Sequence, residues 1–173
     1  MSDKPPAFRP QQVPATARVC VVAARFNAHI VGKLLEGCLS RLEAHGLTGD
    51  RVASYRVPGA FELPLAAKWA AQTEQFAAVI CLGAVVRGET PHFEYVCENA
   101  AAGVRQVQLE TGVPVIFGVL TTNDEHQAFE RTGGGHGHAG EQAADAALEM
   151  IVLHAALRAD AAEAGQTSSR GPA

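Results

Sequence analysis

Residues 77–86 (AAVICLGAVV) are apolar throughout, apart from one glycine. The run is about half the length that a membrane-spanning helix needs, and its β-branched side chains favour a strand. A strand that is apolar on both faces must be covered on both faces, which is typical of a parallel sheet between helices. This stretch therefore predicts a central strand of a helix-covered parallel sheet.

The remaining apolar patterns predict alternating strands and helices around that strand. Short apolar runs predict strands, and spacings near 3.6 predict helices. The predicted strands cover residues 18–24, 51–57, 77–86 and 114–120, and the predicted helices cover 30–42, 61–75, 90–110, 125–131 and 141–162. Thr90 is expected to cap the third helix with Pro91 as its first residue, and residues 132–140 are expected to form a loop. Such alternation predicts an α/β fold with right-handed crossovers, in three layers.

Length and composition indicate the number of domains and exclude several classes. A chain of 173 residues suits one domain. We predict a flexible N-terminal arm at 1–17, a single domain at 18–160 and a flexible tail at 161–173. A net charge of −4 argues against nucleic acid as a partner. The absence of any apolar run of about 18 residues argues against a membrane span, and the first residues lack the apolar segment of a secretory signal.

Four cysteines lie in apolar stretches, and none forms a CxxC pair: Cys20, Cys38, Cys81 and Cys97. Buried thiols in a reducing cytosol are the simplest interpretation, which predicts a cytoplasmic protein. Zinc or disulfides remain as alternatives.

The unusual residues of the chain fall at the carboxyl ends of the predicted strands, where open parallel sheets bind ligands. The four ends carry the segments RFN (25–27), PGAFE (58–62), RGETPH (87–92) and TTN (121–123). At the third end, amides near Glu89 and Thr90 and the positive end of the following helix would suit an anion. His92 would lie in that first turn, where it could exchange protons. Alternatively this is a plain helix start with a solvated His92.

Four further positions admit two interpretations each. Phe26 could be core or a ligand platform. Glu62 could complement a helix dipole or accept hydrogen bonds from sugar hydroxyls. Arg131 could be a dipole partner or a bidentate phosphate ligand. His136 and His138 form an HxH pair, but no third zinc ligand is nearby in the sequence, so no metal site is predicted. The other histidines are expected to be solvated or to cap helices.

Together these residues resemble one enzyme family, 6,7-dimethyl-8-ribityllumazine synthase. The resemblance covers about residues 18–158, and its motifs occur in the right order. They are ARFN (24–27), VPGAFELP (57–64), LGAVVRGETPHFEYVC (82–97), VPVIFGVLTT (113–122) and QAFER (127–131). The long third motif is highly specific. The family implies a flavodoxin-like fold with a four-stranded parallel sheet.

The resemblance also implies an activity. The family condenses 5-amino-6-(D-ribitylamino)uracil with 3,4-dihydroxy-2-butanone 4-phosphate in the penultimate step of riboflavin biosynthesis, and it needs no cofactor. His92 would transfer protons. Phe26 would stack on the pyrimidine, and Phe117 would enter the site from a neighbouring subunit. The ribityl chain and pyrimidine edge would meet Gly59, Ala60, Phe61, Glu62, Ala84, Val85 and Val86, and phosphate would meet Glu89, Thr90 and Arg131.

The resemblance implies small-molecule substrates and a homo-oligomer, either a pentamer or a shell of sixty subunits. The short loop after Arg131 favours the shell, and riboflavin synthase is a further candidate partner. Many members carry a lysine in this loop, where this chain has the segment HAG (138–140); a role for that lysine is unsupported here.

Two functions of other classes would use a similar pocket. A non-catalytic shell protein could hold a flavin or lumazine, although a pure binder would need neither His92 nor Arg131. A flavodoxin-like electron carrier would need a phosphate loop after the first strand, where RFNAH (25–29) is poor in Ser, Thr and Gly.

Overall fold

Four parallel strands form the centre of the protein in a computed structural model that describes residues 13–168. The strands are β1 (Val19–Ala24), β2 (Val52–Val57), β3 (Ala78–Val86) and β4 (Val115–Thr122), in the sheet order β2-β1-β3-β4. The helices are α1 (Ala28–Ala44), α2 (Leu63–Gln72), α3 (His92–Thr111), α4 (Glu125–Glu130) and α5 (Ala139–Ser168). A small hairpin of β5 (Thr132–Gly134) and β6 (Gly137–His138) precedes α5.

β3 is the inner strand that its apolar sequence predicts. It pairs with β1 on one side, where Ala78 lies opposite Val19, and with β4 on the other, where Val79 lies opposite Val115. Its residues 78–84 are all buried. Because every strand is parallel, the carboxyl ends of all four lie at one edge of the sheet.

Alternate residues of the strands enter two separate cores. Val21, Ile80 and Leu82 pack with α1 and α5 on one face of the sheet, and Cys20, Val79 and Cys81 pack with α2 and α3 on the other. This alternation is the period of two expected of strands. The predicted three-layer αβα, flavodoxin-like architecture with a four-stranded parallel sheet is confirmed.

A charged contact joins α1 to α5. The Arg41 guanidinium donates to both carboxylate oxygens of Asp145, at 2.7 and 2.9 Å. His45 follows α1 as its C-cap residue, and its Nε2 lies 3.3 Å from the same carboxylate. The His45 side chain is only 8% exposed, so of the two expected roles, solvated or capping, His45 takes the capping position.

The start of α3 differs from the prediction by one or two residues. The helix begins at His92 with Pro91 in the N-cap position, and no side chain caps it. The Glu94 amide donates to the Pro91 carbonyl at 3.1 Å, so Pro91 rather than Thr90 opens the first turn. The predicted cap by Thr90 is therefore wrong, whereas the place of His92 in the first turn is confirmed.

The second helix is shorter than predicted at both ends. A 3₁₀ turn, Ala60–Glu62, precedes α2, and Pro64 lies in the first turn of the helix, where its missing amide costs nothing. Glu74 has a φ of +57°. This left-handed conformation cannot continue a right-handed helix, so the helix stops at Gln72.

The segment predicted as a loop contains the β5–β6 hairpin. Thr132 pairs with His138 and Gly134 pairs with Gly137, with a register irregularity between Thr132 and Gly134. Gly133 and Gly137 have φ values of +107° and +80°. The Ala139 amide donates to the Arg131 carbonyl at 2.7 Å and closes the base of the hairpin. The expectation of a loop is wrong at residues 132–134 and 137–138, because Gly133 and Gly137 adopt the positive φ values that let the two short strands pair.

Near the chain termini, part of the predicted arm and part of the predicted tail are described. Arg51 donates to the carbonyls of Pro14 and Ala17, at 3.1 and 3.0 Å, and so holds residues 14–17 against the body. α5 continues to Ser168, well into the predicted tail, since this stretch is rich in alanine. Residues 1–12 and 169–173 lie outside the described residues, and their predicted flexibility stays a prediction.

The four cysteines are free thiols, and three of them are buried. Burial raises the pKa of Cys20 to about 11 and the pKa values of Cys38 and Cys81 to about 12. Cys97 is half-buried rather than buried, and partial burial also raises its pKa. The buried thiols stay protonated at neutral pH, so they are poor nucleophiles. No described helix is long and apolar enough to cross a membrane.

Two glycines offer a test of how closely α1 and α5 approach. A Cβ at Gly140 would overlap the backbone carbonyl of Leu34, which cannot rotate away, whereas a Cβ at Gly32 would meet nothing within 4 Å. We expect Gly140→Ala to destabilise the protein by about 1–3 kcal/mol. Gly32→Ala, inside α1, should stabilise it by about 0.5–1 kcal/mol. Urea denaturation followed by circular dichroism measures both.

The two substitutions are chemically identical and serve as controls for each other. A Gly140→Ala variant as stable as the wild type would contradict the close approach of the two helices.

Candidate active site

A cavity of about 680 Å³ opens at the carboxyl ends of the strands. Its walls come from the end of β1, the segment after β2, the end of β3 and the start of α3. Ten of the predicted site residues line it: Phe26, Gly59, Ala60, Phe61, Glu62, Ala84, Val85, Val86, Thr90 and His92. The same cavity is lined by Asn27, Pro58 and Gly88, which lie in the segments predicted at the ends of the strands, and by Phe93 and Val96, which were not assigned to a site.

Phe26 forms an aromatic wall of this cavity. It follows β1, and its amide donates to the Pro58 carbonyl at 3.0 Å, which continues the β1–β2 pairing beyond the strands. Its side chain is 71% exposed. Of the two interpretations of Phe26, core residue or ligand platform, the exposure in this chain favours the platform.

Asn27 shapes the same corner; it lies in the predicted RFN segment, but no role was assigned to it from the sequence. It has a φ of +55°, and its side-chain amide donates to the Ala84 carbonyl at 2.9 Å. The bond joins the end of β1 to the end of β3 across the sheet. Asn is among the few residues that readily adopt the left-handed conformation, so its place between a strand and a helix was a usable signal.

Glu62 is oriented by the turn that carries it. Its Oε2 accepts a hydrogen bond from the Gly59 amide at 2.9 Å, across the 3₁₀ turn. Asn99 of α3 donates to the Phe61 carbonyl at 2.9 Å and fastens this turn to the helix. The carboxylate therefore has a defined position in the cavity wall, where it can accept hydrogen bonds from a ligand.

His92 is the first residue of α3 and is exposed at the cavity wall. The first amides of a helix lack partners within the helix, and its N-terminus carries partial positive charge. Gly88, Thr90 and His92 thus bring an imidazole and an anion-favouring helix end into one cavity. Glu89 lies between two lining residues but does not line the cavity itself.

Two predicted site residues, Phe117 and Arg131, do not line this cavity. Phe117 is on β4, which is an edge strand, and is 41% exposed. Arg131 follows α4 and lines a second cavity, of about 490 Å³, along β4. The other residues of its lining are Val119, Leu120, Thr121, Thr122, His126, Gln127, Glu130 and His136.

The two histidines of the HxH pair do not face a common point. The ring of His138 packs over Gly37 so closely that a Cβ there would overlap it. The side chain of His136 is 72% exposed, and its Nδ1 lies 3.6 Å from Glu130. Within the part of the chain that the structure describes, no group of three or more potential ligands is placed to hold a metal ion.

Comparison with known proteins identifies the family. The family model for 6,7-dimethyl-8-ribityllumazine synthase matches residues 16–155. A protein of that name from Salinibacter ruber is 52% identical over 136 residues, which is 79% of this chain and 87% of the relative. Relatives with the same name from Protochlamydia amoebophila and Syntrophus aciditrophicus are 49% and 51% identical. They cover 79% and 77% of this chain, and 80% and 86% of their own lengths. Both the arrangement of the cavity and these matches agree with the motifs of the sequence, and the chain belongs to the 6,7-dimethyl-8-ribityllumazine synthase family.

Proposed function

We propose that this protein condenses 5-amino-6-(D-ribitylamino)uracil with 3,4-dihydroxy-2-butanone 4-phosphate. The products are 6,7-dimethyl-8-ribityllumazine, phosphate and water, and the step is the penultimate one of riboflavin biosynthesis. The proposal is supported by family membership and by one observation above all: ten residues from three separate stretches of sequence line a single cavity at the carboxyl ends of the strands.

The pyrimidine and its ribityl chain occupy the side of the cavity formed by β1 and the 3₁₀ turn. Phe26 stacks on the pyrimidine ring, since its exposed face lines the cavity. Glu62, held by the Gly59 amide, accepts a hydrogen bond from a ribityl hydroxyl. Backbone groups of Ala84, Val85 and Val86 meet the edge of the pyrimidine.

The phosphate of the second substrate lies near the start of α3. Main-chain amides around Glu89 and Thr90 donate to it, aided by the positive end of the helix. His92, the first residue of α3, faces the reacting atoms between the two substrates. Both substrates are then held in one cavity, so proximity supplies much of the rate acceleration.

The reaction needs proton transfers at each stage. The amine of the pyrimidine attacks the ketone of the butanone, and water leaves as the imine forms. Loss of phosphate, ring closure and loss of a second water complete the product. We assign the early proton transfers to His92, because an imidazole can both donate and accept a proton near neutral pH.

The first prediction of the proposed function concerns turnover. The wild-type protein, mixed with both substrates, should form the lumazine, which its absorbance and fluorescence report. His92→Ala should lower kcat by about ten- to a thousandfold, because water replaces the imidazole only in part. Affinity for the ribitylaminouracil alone, measured by calorimetry, should change little.

His154→Ala is the matched control, since His154 is exposed on α5, away from the residues that line the cavity. It should leave kcat unchanged. A wild-type protein that binds the pyrimidine but never turns over would instead be a non-catalytic binding protein, and an unaffected His92→Ala variant would remove His92 from the mechanism.

We further propose that Phe117 and Arg131 serve the cavity of a neighbouring subunit. Phe117 lies on β4, an edge strand, and Arg131, which follows α4, lines a second cavity together with residues of β4. Neither residue lines the cavity that the other ten residues line. The unpaired edge of β4 is open to contact with another chain. In the assembly, the Arg131 guanidinium grips the phosphate bidentately, and Phe117 covers the bound substrates.

The second prediction tests this division between subunits. Arg131→Ala should raise the KM for the butanone phosphate more than that for the pyrimidine, because about 1.5–3 kcal/mol of charge-assisted hydrogen bonding is lost. Co-expression of Arg131→Ala and His92→Ala chains carrying different tags should yield mixed oligomers more active than either parent oligomer, since some interfaces combine an intact His92 with an intact Arg131.

An interface in which each subunit supplied its own arginine would give no such gain. Mixed oligomers with activity between those of the two parents would therefore contradict the shared site, even if Arg131 proved essential.

The protein is a homo-oligomer, as its family membership indicates. We propose that it forms a shell of sixty subunits. The segment between α4 and α5 is a tight hairpin closed by the bond from Ala139 to Arg131, so it lacks the bulk that would obstruct packing between pentamers.

We also propose a cytoplasmic location, as the free buried thiols favour, and riboflavin synthase, which consumes the product, as a partner.

The third prediction is the mass of the assembly. Sixty copies of the 18.1 kDa chain should sediment as a particle of about 1.1 MDa. A species of about 90 kDa would correspond to a free pentamer and would contradict the shell. A stable and active monomer would contradict both the shell and the shared site.

A further inference from the structure

Arg87 directly follows β3 and links three parts of the protein. Its Nε donates to Asn123 Oδ1 at 3.0 Å, at the end of β4, and its Nη1 pairs with Glu94 in the first turn of α3. Its guanidinium carbon lies 4.1 Å from the centre of the Phe93 ring. Its backbone amide donates to the Thr122 carbonyl at 2.9 Å, which continues the β3–β4 ladder by one bond.

These contacts use properties that arginine alone combines. The planar guanidinium can stack on an aromatic ring while its edge donates in two directions. Hydrogen bonding from Arg87 lowers the pKa of Glu94, so this carboxylate is ionised at neutral pH and the pair stays charged. Both side chains are partly exposed to solvent, and such ion pairs add little to global stability.

The contacts close a short loop of the chain. Arg87 stands at one end of the loop and its partners Phe93 and Glu94 stand at the other, so residues 88–92 are enclosed between them. Three of the enclosed residues, Gly88, Thr90 and His92, line the large cavity. Phe93 lines it as well, so the guanidinium packs against a residue of the cavity wall.

Asn123 extends the connection toward α4. The backbone amide of Asn123 donates to Gln127 Oε1 at 3.0 Å, and the backbone amide of Gln127 donates to Asp124 Oδ1 at 2.8 Å. Arg87 thereby joins the loop that carries His92 to the turn from which α4 begins. Arg87 itself does not line the cavity.

We propose that Arg87 is a positioning residue, which holds the loop 88–92 and thereby sets the place of His92 against the reacting atoms. This inference rests on the proposed synthase activity. The competing explanation is that the positive charge of Arg87 attracts the substrate phosphate directly, in which case any cation at this position would serve.

Steady-state kinetics of Arg87→Gln and Arg87→Lys separate the two explanations. A lysine keeps the charge but cannot stack on Phe93 and donate to Asn123 and Glu94 together. We expect both variants to lower kcat by about tenfold through misplacement of His92. The KM for the ribitylaminouracil should stay within about twofold, because that substrate binds on the side of Phe26. Wild-type kcat in Arg87→Lys would overturn the proposal.

A double-mutant cycle tests whether Arg87 acts through His92. In a His92→Ala background, Arg87→Gln should change kcat by less than about twofold, since no imidazole remains to be positioned. A further loss of about tenfold in that background would show that Arg87 acts independently of His92 and would overturn the proposal.

Two further variants separate a loss of positioning from a general loss of folding. Glu94→Gln removes the charged partner and leaves Arg87 in place; it should lower kcat by about threefold, and an unaffected kcat would count against the proposal. Lys68→Gln breaks another exposed ion pair, between Lys68 of α2 and Glu110 of α3 at 3.1 Å, and should leave the kinetics unchanged. A wild-type protein without turnover would contradict the proposed function, whereas an active wild type with unaffected Arg87 variants would contradict only this inference.

Discussion

The position of β3 between two parallel neighbours determines where chemistry can occur in this protein. Because β3 pairs with β1 and β4 in the same direction, the loops that leave the carboxyl ends of these strands are brought together. Each loop then needs only a few residues to reach the common cavity: Phe26 after β1, Glu62 after β2 and His92 after β3. The helices cover both faces of the sheet and leave this edge as the place where polar backbone groups meet solvent and ligand.

The parts of this arrangement that depend on local pattern could be predicted from the sequence. The apolar run at β3, the helical spacings and the alternation of strands and helices led to the three-layer fold, which is confirmed. Because ligands bind at the carboxyl ends of parallel strands, the predicted strands place Phe26, Glu62 and His92 in one region from the sequence alone. The structure brings these three to the same cavity.

The parts that could not be predicted depend on contacts between distant positions. The bond from Asn27 to Ala84 spans 57 residues of sequence, and that from Asn99 to Phe61 spans 38. Nothing in a local pattern shows which carbonyl a side-chain amide will reach. The cap of α3 and the β5–β6 hairpin were misjudged for a related reason: proline and glycine each permit more than one turn, and the surrounding packing selects one of them.

The close packing of the His138 ring on Gly37 restricts how this chain can change over generations. A Cβ at position 37 would overlap ring atoms of His138, so a larger residue at 37 requires the imidazole to move or a smaller residue to stand at 138. The two positions are therefore coupled, although about a hundred residues separate them in sequence. A change at one of them alters which residues the other can accept, and this coupling links α1 to the hairpin that precedes α5.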